Sequence, residues 1–91
     1  MINPTDSDAV IKAVEVANES NIPVVTLDRQ ANGWKVTSHI ASDNIKGGAM
    51  AAEFVLEQLG TEQNINVVEL QGIPGASATR DRGAGFHSGL D

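Results

Sequence analysis

The 91-residue chain contains no cysteine, which excludes both a disulfide scaffold and a thiolate metal site. It has no tyrosine either, and its aromatic side chains are Trp34, Phe54 and Phe86 alone, so few flat apolar faces are on offer to a ligand. Positive charge is scarce. Six Lys and Arg against twelve Asp and Glu leave a formal net charge of −6, whereas binding to a phosphate backbone needs clustered cations. DNA and RNA are therefore not expected partners. No apolar run approaches the roughly 20 residues of a bilayer-spanning helix, and the first residues show neither the basic start nor the apolar stretch of a signal peptide. Internal repeats and low-complexity tracts are missing too. What remains, 41% hydrophobic residues with nine glycines, describes one modest α/β unit with a small core.

Capping side chains at Thr5-Asp6-Ser7-Asp8 precede Ala9, Val10, Ala13, Val14 and Ala17, spaced to make one apolar helical face. The spacing predicts a helix over 7–20, ended by Asn21. Ile22-Pro23 then opens a strand over 23–27, with the proline tolerated at its first position. A loop from Arg29 to Lys35 leads to a second predicted strand over 36–41, with Ser42-Asp43 as its exit and the cap of the next helix. In that helix Gly48, Ala51, Ala52, Val55 and Leu59 make a stripe whose small residues would let the backbone lie close to a sheet, and Gly60 stops it. Residues 64–70 read as a third strand. Gly72-Ile73-Pro74-Gly75 then delivers the chain to a last helix beginning near Ser77. This order, with apolar Met1-Ile2 as the close of a preceding strand, predicts a parallel sheet with flanking helices, entered in mid-course and left in mid-helix at Asp91.

The polar features are few. Apolar residues 22–27 run directly into Asp28 and Arg29, and the carboxyl edge of an open α/β sheet is where such folds bind ligands. An Asp accepts hydrogen bonds and an Arg donates up to five in a rigid fork, so the pair can grip vicinal sugar hydroxyls from two sides. A solvated surface ion pair is the ordinary alternative. Arg80-Asp81-Arg82 opens the last helix, and at about 100° per residue its two arginines point to nearly opposite sides, so at most one can serve a shared ligand. The Gly72–Gly75 loop lacks the Gly-Lys-Ser/Thr of a nucleotide loop and the three-glycine dinucleotide fingerprint. His39 and His87 have no carboxylate at metal-ligand spacing, so no metal is expected, and His39 reads as a strand residue satisfied by its neighbours. Ser38, His39 and Asp43 hold the atoms of a nucleophilic triad without anything to arrange them. Asn18-Glu19-Ser20 matches a glycosylation acceptor only in form.

Five runs together carry a family resemblance: residues 2–10 (Ile-Asn-Pro-Thr-Asp-Ser-Asp-Ala-Val), 22–30 (Ile-Pro-Val-Val-Thr-Leu-Asp-Arg-Gln), 38–44 (Ser-His-Ile-Ala-Ser-Asp-Asn), 69–72 (Glu-Leu-Gln-Gly) and 80–86 (Arg-Asp-Arg-Gly-Ala-Gly-Phe). In register over essentially the whole chain, they resemble the bacterial periplasmic D-ribose-binding proteins of the type I periplasmic binding protein family. The resemblance implies Rossmann-like lobes that close on one sugar and deliver it to the permease of an ABC importer. It assigns residues 1–42 to part of the N-terminal lobe and 43–91 to part of the C-terminal lobe, with Ser42 and Asp43 at a hinge crossing. It makes Asp28 and Arg29 sugar ligands from the first lobe. Between the two arginines it selects Arg82 as the ligand from the second.

The expectation is thus a non-enzymatic pentose-binding segment without cofactor, belonging to a protein of the periplasm. Family members are much longer, and bare sheet edges in this segment predict a homo-oligomer. The competing reading is the effector-sensing domain of a LacI-type transcriptional regulator, which shares the Ile-Pro-Val-Val strand and the Asp-Arg strand end. A flavodoxin-like enzyme is disfavoured by the lack of a convincing base and nucleophile pair.

Overall fold

The structure is a computed structural model, which describes residues 1–60 and 64–91. Five elements follow in order: α1 (Ile11–Glu19), β1 (Val25–Leu27), β2 (Ser38–Ile40), α2 (Asn44–Leu59) and α3 (Ser77–Leu90). β1 and β2 run parallel, with Val25 opposite Ser38, Thr26 opposite His39 and Leu27 opposite Ile40. On the other side of β1, Ile2 forms a parallel bridge to Thr26, donating its N–H to the Val25 carbonyl at 2.8 Å and accepting from Leu27 N at 2.8 Å. Met1-Ile2 thus sits where the close of a strand is expected, and β1 is central.

Helix α1 is shorter than its apolar pattern predicts. Its N-terminal part is a turn in which the Asp6 carboxylate accepts from the N–H groups of Asp8 and Ala9, each at 2.9 Å. Ser7 is meanwhile committed elsewhere, its N–H to Gly75 O and its carbonyl to Asn32 N. A residue bonded to two other segments cannot supply the first helical turn, so the helix begins at Ile11. The other end is as expected: Asn21, at φ 55°, follows the helix, with Asn21 N donating to Asn18 O and Ile22 N to Ala17 O. This paired pattern satisfies the last carbonyls of α1 and turns the chain toward β1. The Asn18 amide grips Lys35 at both its N–H and its carbonyl, which occupies the apparent glycosylation acceptor in holding the β1–β2 connection against α1.

The N-cap of α2 is Asp43, whose carboxylate accepts from Lys46 N at 3.0 Å, and Gly60 closes the helix at φ 61°. The small-residue stripe of α2 faces α3 rather than a sheet. A Cβ added at Gly48 would fall on the Arg82 carbonyl oxygen and lie 2.8 Å from Phe86 N. One added at Gly85 would fall on the Ile45 carbonyl oxygen and lie 3.0 Å from Ala49 N. At Gly89 the obstacle is the Ala52 methyl, at 2.7 Å. The two helices therefore meet backbone to backbone, a separation that only small residues at the crossing permit.

Residues 64–70 do not form the predicted strand. Ile65, Val67 and Val68 are β-branched residues that suit a strand, but no described segment pairs with them, and a strand has no hydrogen bonds without a neighbour. Val68 and Leu70 are consequently 90% and 95% exposed. The core is small, built on Val14, Val24, Ala52, Ala76 and Ala78 with Thr26 and Ser7 buried among them, while Trp34 and Phe54 stay at the surface. A radius of gyration of 16.8 Å, against the roughly 12 Å of a compact chain of this length, shows why so little is enclosed.

Candidate functional site at the carboxyl edge of the sheet

Asp28 is the first residue past β1, and its N–H still donates to Ile40 O at 2.9 Å. The next N–H, of Arg29, turns back to Leu27 O at 2.7 Å, so Asp28 is the centre of a three-residue turn at φ 64°. Such a turn is strained for any residue with a Cβ. Asp28 lines a cleft of about 260 Å³ together with Gln30, His39, Ser42, Asp43, Ser77 and Asp81.

Two serines assemble that cleft. Ser77, at the start of α3, accepts from Gln30 N on its hydroxyl at 2.8 Å, and its own N–H donates to Ser7 Oγ at 3.2 Å. Through them the start of α3 is seated against the loop after β1. His39 lines the cleft with its Nδ1 2.8 Å from the buried Thr26 hydroxyl, its register partner in β1. It is the satisfied strand histidine its position predicts. Asp43 serves the cleft and caps α2 together.

The expected ligand and hinge residues are divided. Asp28, Ser42 and Asp43 share the cleft. Arg29 follows directly, but its guanidinium donates to Thr5 O at 3.2 Å. Arg82 lines a different and larger cavity of about 820 Å³, with Glu69, Phe86 and His87. There His87 Nε2 lies 2.6 Å from a Glu69 carboxylate oxygen, a contact that joins segment 64–72 to α3 and that residue spacing does not announce. Arg80 lines this same cavity while its guanidinium donates to Pro74 O at 2.9 Å, so the two arginines border one space although their helical spacing predicts that they diverge. The residue between the arginines, Asp81, faces the Asp28 cleft, a role its sequence context gives no reason to expect. No group of three or more His, Asp or Glu among the described residues is arranged to hold a metal ion.

The N–H groups of Ala9 and Asp8, aided by the charge of Arg80, hold Asp6 below the usual carboxylate range against a smaller opposing effect of burial.

Residues 1–91 match the family described as periplasmic binding protein domain. The chain belongs to that family. It is 56% identical over 91 residues to the ribose import binding protein of Bacillus subtilis (strain 168), a match covering all of this chain and 29% of that protein. Against the ribose import binding protein of Escherichia coli (strain K12) the identity is 54% over 90 residues, covering 99% of this chain and 30% of the other. Among solved structures, a myo-inositol binding protein from Caulobacter bound to myo-inositol superposes with a TM-score of 0.85 at 32% identity, covering 97% of this chain and 29% of that one. A galactofuranose binding protein gives a TM-score of 0.87 at 29% identity, covering 98% and 31%. This periplasmic binding protein chain therefore spans about three tenths of the length of the curated relatives it matches. The expected parallel α/β architecture of the type I family holds, and the resemblance to ribose-binding proteins extends over all 91 residues.

Proposed function

We propose that the chain contributes one part of a monosaccharide site, for D-ribose or a similar pentose, in the solute-binding component of an ABC sugar importer. The observation that carries this reading is Asp28, an acidic residue kept in a strained turn at the carboxyl edge of the sheet and lining a polar cleft. Strain of this kind persists where the surrounding structure over-determines it, as at ligand sites. Identity of 56% to a ribose import binding protein supplies the ligand class.

In this reading Asp28 accepts from sugar hydroxyls, and Arg29 donates to them after exchanging its bond to Thr5 O for the ligand. Residues 1–42 form part of one lobe and 43–91 part of the other. Arg82 joins from the second lobe as α2 and α3 turn together about Ser42 and Asp43. No bond is made or broken, so the role is recognition rather than catalysis, in a protein working in the periplasm beside its permease. Sugars lacking the right hydroxyl are rejected because buried polar groups would be left unpaired. The import names of the matched relatives favour this over the effector domain of a LacI-type regulator.

Titration calorimetry with ribose, arabinose and xylose tests the reading. Ribose is expected to bind best, and Asp28→Ala and Arg29→Ala are each expected to weaken it by about 1.5–3 kcal/mol, the scale of charge-assisted hydrogen bonds. Unchanged affinity in both variants would remove the assigned roles.

A further inference from the structure

We propose that Ser7 and Ser77 form a latch that fastens the start of α3 to the first 42 residues and so sets the balance between closed and open clefts, an inference that rests on the two-lobe reading above. Three hydrogen bonds cross between residues 1–42 and 43–91 among those described: Ser7 N to Gly75 O at 2.9 Å, Ser77 N to Ser7 Oγ at 3.2 Å, and Gln30 N to Ser77 Oγ at 2.8 Å. All three converge on two serines that are 0% and 4% exposed. Side-chain hydroxyls buried this deeply need partners, and here the partners lie 70 and 47 positions away in sequence.

The latch also has something to oppose. Asp28, Asp43 and Asp81 line the same small cleft, and no Lys or Arg is among its lining residues. Like charges drawn together repel, so closure without a ligand needs an attraction at the rim. Ser77 lines the cleft, and Ser7 is bonded to it from behind. One displacement of α3 breaks all three bonds together, and water then replaces each, which makes the latch reversible rather than permanent.

Amide hydrogen exchange on the intact chain tests the idea. Once each is divided by its intrinsic exchange rate, the N–H groups of Ser7, Gln30 and Ser77 are expected to exchange at one common rate, set by opening of the cleft. Ser77→Ala is expected to raise the rates at Ser7 and Gln30 together, by a few-fold to about tenfold. Asn32, bonded to Ser7 O within the first 42 residues, and Asp28, bonded to Ile40 O, serve as controls that should not change. Acceleration confined to Gln30 would overturn the proposal. If Ser77→Ala loses its helical circular dichroism, the unmodified chain still decides, because three unrelated rates there would overturn it as well. Adding D-ribose separates this inference from the one beneath it. A common rate that ribose does not slow supports the latch and counts against the sugar site.

Discussion

Adjacent glycines in α2 should respond oppositely to the same substitution. Gly47 has nothing within 4 Å of an added Cβ, so Gly47→Ala only removes a helix-interior glycine, a change worth up to about 1 kcal/mol of stabilisation. Gly48→Ala gains the same backbone benefit but drives its methyl into the Arg82 carbonyl and the Phe86 N–H of α3. Those are main-chain atoms, with no rotamer to yield. The helices must separate by roughly an ångström, which forfeits roughly a quarter to a half of the dispersion energy along the contact. Overpacking of this kind costs typically about 1–3 kcal/mol. With the upper end of that range offset by the backbone gain, Gly48→Ala is expected to destabilise by about 2 kcal/mol. The two variants then differ by about 3 kcal/mol, or about 12–24 °C in Tm for a chain of this size. Thermal melts followed by circular dichroism at the helix band would read the difference directly. Coincident melting of the two variants would refute the backbone-to-backbone crossing.

Gly85→Ala should behave as Gly48→Ala does, and the double variant should lose less than the sum, because one separation of the helices relieves both clashes. Asp28→Gly should raise stability by up to about 1 kcal/mol by releasing the turn at φ 64°; a lowered Tm would mean that the carboxylate supports the fold. The Asp6 carboxyl is held below its ordinary value, so its contribution is complete above about pH 4 and is lost as pH falls through the depressed folded value. Urea midpoints measured downward from pH 6 should therefore fall less steeply for Asp6→Asn than for the parent. With β2 exposed along its length and residues 64–70 unpaired, we expect the chain to self-associate through these edges. A monomer mass by light scattering at micromolar concentration would contradict that.

Elements bounded by local chemistry were legible in the sequence. Asp43 and Gly60 bracket α2 as capping rules require, Asn21 ends α1, and α3 starts at Ser77. Features that depend on a distant partner were not. Residues 64–70 carry the β-branched residues a strand favours, yet composition alone supplies no neighbour. The small residues of α2 announced a close approach but not whether a sheet or α3 would make it. At the site, the place of Asp28 beyond β1 followed from the end of the apolar run. Its positive φ did not, because any residue type with a Cβ avoids that region and none encodes it strongly. Ser7 and Ser77 carry no signature at all, since a serine that joins segments 70 positions apart looks like any other.

Contact between α2 and α3 through Gly48, Gly85 and Gly89 has a mechanical consequence. Little side-chain length lies between the two helices at the crossing, so there is no rotamer slack to absorb a tilt. The pair behaves as one lever, and a small rotation at its Asp43 end arrives undiminished at Ser77.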